Sequence, residues 1–454
     1  MDVRAWQSRL DELIAAHDVP GATVAVLRGD EVCGLASGVL NRGTGVEATP
    51  DSLFQVGSIT KVYTAAVVLR MVEQGRITLD TPVVHVLPGF RIADPDAGDR
   101  VTIRHLLTHT SGIDGDLFRD TGRGDDCLAR YVDACAQLTA CHRPGAAMSY
   151  CNTGFSILGR VVEVLTDRTW DTALRELLLS PLGLTATHTL PEDVLRYRAA
   201  LGHEAGPDGT VRPVAVWGLP RSIGPAGTVT ASATEVLELA RLHLRGGLAP
   251  DGTRLLSEET VARMRAPEVA VPVPWGKGDS WGLGWALFDW GGPAVHGHDG
   301  RTLGQTAVLR VLPEAEVAIA VLTNSDRAGG FLVEVTTELV RELTGVAVPA
   351  PFGPPPVAVQ VGAEELRRLT GVYERAALRV EAQLRDGALV LHEVEADELG
   401  TGPEEADIPL IPVTGTLFAG RSAQTGTWLP YRFLRLPDGA DCLHAYGRVT
   451  PRVG

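Results

Sequence analysis

Ser58 and Lys61 stand three residues apart in LFQVGSITKVYTAAVVLRMVEQG, residues 53–75. Lys61 is one of two lysines in the chain, the other being Lys277, so 39 of the 41 Lys and Arg residues are arginine. Apolar residues at Val62, Ala65, Ala66, Leu69 and Val72 follow a helical period, and Gly75 supplies a stop. With Ser58 in the first turn, Lys61 lies on the same face one turn along. A helix N-terminus offers amide donors and positive potential to a nucleophile whose product carries an oxyanion. A lysine shielded from water can lose its proton near neutrality, whereas arginine cannot. The pair could therefore drive acyl transfer. The plainer reading is a capping serine beside a solvated lysine.

Tyr150 and Asn152 lie in PGAAMSYCNTGF. Residues two apart in an extended segment point the same way. A phenol whose pKa is lowered by a neighbouring ammonium can act as a general base, and an amide can hold both the lysine and a substrate carbonyl. The alternative is a core tyrosine next to a turn asparagine. His298 stands in VHGHDGRTLGQTAVLRV, where glycines 297, 300 and 304 would let a substrate backbone approach closely. Its imidazole could steady charge or shuttle a proton. His296 competes for that role from the same strand face. A metal site on His296, His298 and Asp299 is disfavoured because no further ligand cluster lies nearby.

The elements that must position these residues are mixed. GATVAVLRGDEVCGLASGVLNRGTG reads as an antiparallel hairpin turning at Arg28-Gly29-Asp30. VTIRHLLTHTSGI predicts a short helix ending at Gly112, and GFSILGRVVEVLTDRTW predicts another. QTAVLRVLPEAEVAIAVLTNS gives two strands around Pro313-Glu314. VAVPAPFGPPPVAV then marks a stiff linker. Beyond it, strand-like alternation with turn signals at Asp386-Gly387 and Asp438-Gly439 predicts a small antiparallel β domain.

The 454-residue chain carries 41 basic and 56 acidic residues, for a net charge of −15. This acidity argues against nucleic acid or an anionic membrane as partner. The six cysteines show no C-x-x-C pair or zinc spacing and read as free thiols. The N-terminal stretch predicts an amphipathic helix with no signal-peptide pattern, and the most apolar helix is too short to span a bilayer. A cytoplasmic location is expected, and no cofactor or metal is called for.

Taken in order, S-x-x-K, Y-x-N and H-x-G resemble the serine β-lactamase and penicillin-binding-protein superfamily, in its class C-like branch. HLLTHTSGI (105–113), GPAGTVTASATEVLELARL (224–242) and WGLGW (281–285) are similar to that branch as well. The resemblance covers residues 8 to about 345. It implies an α+β fold: a β-lactamase-like α/β sandwich with an antiparallel sheet and an all-helical region. A small antiparallel, lipocalin-like β-barrel would follow. The expected divisions are a catalytic domain at 1–346, a linker at 347–359 and the β domain at 360–454.

The resemblance further implies that Ser58 is the acylated nucleophile, Lys61 its activating partner, and Tyr150 general base and then acid. Asn152 would position substrate, and His298 would be the third-motif residue. Asp299 and Gly300 would contact substrate, and the backbone N–H groups of Ser58 and Arg301 would form the oxyanion hole. Histidine replaces the usual third-motif lysine, so strong β-lactamase activity is not expected.

The β domain and FRDTGRGDDCLARYVDAC (118–135) are similar to the stand-alone penicillin-binding-protein-type thioesterases. That resemblance implies a nonribosomal peptide cyclase. It would take a peptidyl thioester, presented by a carrier protein, and close it head to tail, with a D-residue or glycine at the acylating end. Two alternatives remain. One is a cytoplasmic esterase or D-stereospecific peptidase that resolves the same acyl-enzyme with water. The other is a sensor that acylates without turnover.

Overall fold

The computed structural model describes residues 1–206, 209–273, 278–357, 359–376, 378–395, 404–422 and 426–454. Lys277, and Ala358 within the expected linker, lie outside the described residues.

A nine-stranded antiparallel sheet forms the frame. Its strands are β1 (Gly21–Arg28), β2 (Glu31–Asn41), β3 (Val46–Glu47), β4 (Val269–Ala270), β5 (Ser280–Trp281), β6 (Ala286–Phe288), β7 (Val295–Thr302), β8 (Gln305–Leu312) and β9 (Val317–Thr323), in the spatial order β3-β2-β1-β9-β8-β7-β6-β5-β4. Segments far apart in sequence therefore pair: β1 lies between β2 and β9, with Val24 opposite Val321. The first hairpin closes at Arg28↔Glu31, with Gly29 at φ 58 supplying the left-handed turn residue.

Side chains along the central strands alternate between two cores. Val24 and Val26 of β1, with Ile319 and Val321 of β9, pack against α1 (Val3–Ala16) through Trp6, Leu10 and Leu13. The helix at Gly329–Thr344 joins the same core through Phe331, Val335 and Leu339. The opposite face presents Ala25, Leu27, Ala307, Ala318 and Ala320 to the larger core, where small residues admit helices closely. That core holds α2 (Thr60–Glu73), α3 (Ile103–Leu107), α4 (Cys127–Ala134), α5 (Asn152–Thr166) and α6 (Ala233–Leu244).

In α2 eleven of fourteen residues are buried, Lys61 among them, so it is a helix enclosed on nearly all sides rather than an amphipathic surface one. α3 departs from the sequence expectation. A Thr102–His105 capping box starts it, but it stops at Leu107 instead of reaching Gly112. His109 then takes φ 56, in the left-handed region, which a right-handed helix does not allow.

After Gly345 (φ 73) ends the helix at Gly329–Thr344, the chain reaches α7 (Ala363–Leu369) and an eight-stranded antiparallel meander. Its strands are β10 (Gly371–Arg375), β11 (Leu378–Arg385), β12 (Ala388–Glu395), β13 (Glu404–Pro412), β14 (Leu417–Arg421), β15 (Trp428–Arg435), β16 (Asp441–Ala445) and β17 (Arg448–Pro451). Val453 donates to Val372 O at 2.8 Å, and Tyr373 bridges Arg452, so first and last strands meet in a nearly closed barrel. Tyr373, Phe418, Tyr431 and Phe433 fill it, two of the ring pairs meeting edge to face at 5.5 and 5.7 Å. Two-residue turns join β11 to β12 at Asp386-Gly387 and β16 to β17 at Tyr446-Gly447, each with both residues at positive φ.

Candidate active site

Ser58 lies in a single 3₁₀ turn, Gly57–Ile59, that runs directly into α2. Its backbone is set by two close approaches. A Cβ on Gly57 (φ +53) would lie 2.5 Å from the Arg301 nitrogen, and a Cβ on Gly300 would lie 1.8 Å from Val56 O and 3.1 Å from the Ser58 nitrogen. The turn is thus seated on the edge of β7, whose pairing with β6 ends at Ala286↔Gly297. This sets the Ser58 turn against the Arg301 backbone, the adjacency that an oxyanion site built from their two amides would require.

One turn after Ser58, at the start of α2, the fully buried Lys61 Nζ donates to Ser58 Oγ (3.0 Å), Asn152 Oδ1 (2.8 Å) and Ala226 O (2.7 Å). Two of these partners only accept. The serine hydroxyl can do either. A neutral amine would keep its two N–H bonds on Asn152 and Ala226 and turn its lone pair to the Ser58 proton; an ammonium would donate to all three.

Asn152 opens α5, with Cys151 as the N-cap, its sulfur accepting from the Gly154 amide at 3.2 Å. Tyr150 precedes the cap, and its buried phenol shares a hydrogen bond with Ser58. Burial pushes this phenol above its ordinary value, while Ser58 and the Arg448 guanidinium lower it only in part. The sequence expectation of a lowered phenol pKa is therefore reversed: desolvation outweighs the charge of Arg448. His298 lies 6.3 Å from the Tyr150 ring and edge-on to Trp281 at 5.4 Å. Ser58, Lys61, Tyr150, Asn152 and His298 thus come together.

His296 lies deeper. It packs edge-on to Trp285 at 4.8 Å beside His243. Asp299 alternates to the other side of β7 and receives Arg310 Nη1 at 2.5 Å, so its carboxylate is committed to an ion pair. The glycines expected to leave room for substrate are instead occupied by the protein's own backbone. Gly297 abuts Leu309 O, Gly304 abuts His203, and Gly300 abuts the Ser58 turn.

Four neighbours were not singled out from the sequence. His109 stacks on Tyr150 at 4.2 Å and accepts the Cys151 amide on Nδ1 at 2.9 Å. Its block, HLLTHTSGI, was a visible marker, although the ring's own position was not. Asp116 accepts from Asn152 Nδ2 at 3.1 Å. Arg375 and Arg448 arrive from the barrel and pair with Asp116. The β16–β17 turn also lies against the motif: Tyr150 N donates to Gly447 O at 2.8 Å, and Arg448 Cζ is 5.4 Å from the Tyr150 ring centre.

A half-buried serine with a buried lysine, tyrosine and asparagine on an α/β sandwich defines a serine acyl-transfer site of the β-lactamase and penicillin-binding-protein kind. The Beta-lactamase family model matches residues 6–340, and the chain belongs to that family. Members of this superfamily are serine acyl-enzyme hydrolases or transferases.

Penicillin-binding protein 4 of Amycolatopsis lactamdurans is 50% identical over 374 residues, covering 82% of this chain and 97% of that protein. Esterase EstB of Burkholderia gladioli is 28% identical over 361 residues, covering 68% and 91%. The crystal structure of SurE superposes with a TM-score of 0.81 at 30% identity, covering 99% of this chain and 98% of that one; SurE has also been solved with D-Leu. Among the described residues no helix is long and apolar enough to cross a membrane, and all six cysteines are free.

Proposed function

We propose that this protein is a peptide cyclase that takes a peptidyl thioester onto Ser58 and releases it by head-to-tail macrolactam formation. The observation that carries this reading is the barrel turn against Tyr150, with Gly447 on its amide and Arg448 over its ring. A second folding unit at the nucleophile helps to exclude water and to hold an incoming amine near the acyl carbon. The match to SurE along nearly the whole chain, barrel included, supports the same reading, and the D-Leu complex of that protein supports a D-residue as part of the substrate.

In the first half-reaction Ser58 Oγ attacks the thioester carbon. Lys61 Nζ, 3.0 Å away, takes the hydroxyl proton, and the Ser58 and Arg301 amides hold the oxyanion. The C–S bond breaks, and the leaving thiolate takes a proton from Tyr150, a phenol that burial keeps protonated. In the second half the peptide's own amine attacks the ester and gives its proton to the Tyr150 phenolate or to His298. The C–N bond forms, the C–O bond breaks, and Ser58 recovers its proton from Lys61.

The test is a short synthetic peptide thioester with a D-residue at its acylating end, with products read by mass spectrometry. A product one water lighter than the linear acid, absent with Ser58→Ala, is expected. Linear acid alone would favour a hydrolase, the reading that the match to Esterase EstB supports.

A further inference from the structure

Asp116 lies at the meeting point of three segments. Its Oδ1 accepts from Asn152 Nδ2 at 3.1 Å and from Arg448 Nη2 at 2.7 Å. Its Oδ2 accepts from Arg375 Nη1 at 3.2 Å and also faces Arg448 Nε. The side chains are 9, 15 and 7% exposed for Asp116, Arg448 and Arg375. Burial opposes ionisation of this carboxyl, but the two guanidinium charges outweigh it and hold it below the usual carboxylate range. The next carboxylate along, Asp114, accepts the Ala376 amide at 2.6 Å, so the β10 end is tied down twice.

A primary amide has two ends of nearly equal size and opposite hydrogen-bonding character. Lys61 needs an acceptor at Asn152, and its 2.8 Å contact is with Oδ1. A carboxylate can only accept, so Asp116 admits only the NH2 end. The amide is thereby fixed with its oxygen toward the lysine. The barrel arginines in turn fix the carboxylate, across 259 and 332 residues of sequence.

We propose that Asp116 is a positioning residue for Ser58 acylation: held by Arg375 and Arg448 of the barrel, it locks the Asn152 amide and thereby the Lys61 amine. The barrel then completes the catalytic group as well as covering it. This proposal rests on the reading of Ser58 as the nucleophile.

The test is the pre-steady-state burst of p-nitrophenyl acetate on the full chain, which reads the acylation rate constant separately from the half-saturating concentration. Asp116→Asn is expected to lower the rate constant 10- to 100-fold with little change in half-saturation. Because it leaves two buried cations short of a counter-charge, Arg375→Gln serves as a second variant, with a 3- to 10-fold loss expected. In an Asn152→Ala background Asp116→Asn should cost less than 3-fold more, since its effect runs through that amide.

Parent-like rates in both single variants would overturn the proposal while leaving Ser58 as nucleophile. Fully multiplicative losses in the double variant would overturn it as well. A burst that survives Ser58→Ala would overturn both this proposal and the reading beneath it.

Discussion

Asn152 spans a lysine and a carboxylate, accepting from Lys61 at 2.8 Å on one end and donating to Asp116 at 3.1 Å on the other. The lysine therefore has two fixed acceptors, Asn152 Oδ1 and Ala226 O, and a third partner in Ser58 that can give up a proton. Arginine would be charged throughout and could not take that proton. Lys61→Arg should lower kcat/KM for p-nitrophenyl acetate about 10³-fold. Activity within 10-fold of the parent would remove Lys61 as the base.

Tyr150→Phe deletes one hydroxyl and keeps a ring packed between His109, at 4.2 Å, and Trp281, at 5.9 Å. The fold should persist, with Tm within a few degrees, while turnover of a peptide thioester falls about 10²-fold or more. A fully active variant would mean that the phenol carries no proton in the reaction.

The Ser58 turn depends on the absence of a side chain at Gly300, where a Cβ would meet Val56 O at 1.8 Å. Gly300→Ala should displace the turn, costing about 3 kcal/mol or more and nearly all acylation. Gly387→Ala is the control. It strains a left-handed residue at φ 81 in an open barrel turn with nothing within 4 Å, so it should cost about 1 kcal/mol and leave activity unchanged. Equal behaviour of the two variants in urea unfolding and burst assays would contradict this.

His243 and His296 are buried beside Trp285, and burial, then the charge of Arg265, pushes His243 down to about 3; His296 is held well below its ordinary value. Both are neutral when folded, whereas the unfolded chain protonates them near pH 6.5. Their contribution to stability is therefore complete above that pH and falls away as pH drops from there toward the folded values. His243 loses about 1.4 kcal/mol per pH unit below the unfolded value, about 2 kcal/mol between pH 7 and pH 5, and His296 adds a loss in the same direction. His243→Gln should reduce the slope of unfolding free energy against pH in that range. An unchanged slope would show that these rings do not govern acid stability.

Local pattern made much of the frame legible. The first hairpin, the β8–β9 pair and the Asp386-Gly387 turn follow from alternation and turn chemistry that act over a few residues. The motif residues were visible for the same reason, because the spacing of Ser58 and Lys61 is one helical turn. What escaped was long-range. Nothing near Asp116 in sequence announces a guanidinium 332 residues away, and the positive φ of His109 comes from tertiary packing that overrides the helical pattern before it. The phenol pKa is not legible in sequence, because a neighbouring charge can be guessed there and the extent of desolvation cannot.

The most direct test of the account is rapid-quench intact-mass analysis of the protein with a peptide thioester, followed by proteolytic mapping of any adduct. A transient mass gain equal to the peptidyl group without its thiol is expected on the fragment that contains Ser58, and none in Ser58→Ala. Turnover with no adduct, or an adduct mapped to another residue, would contradict it.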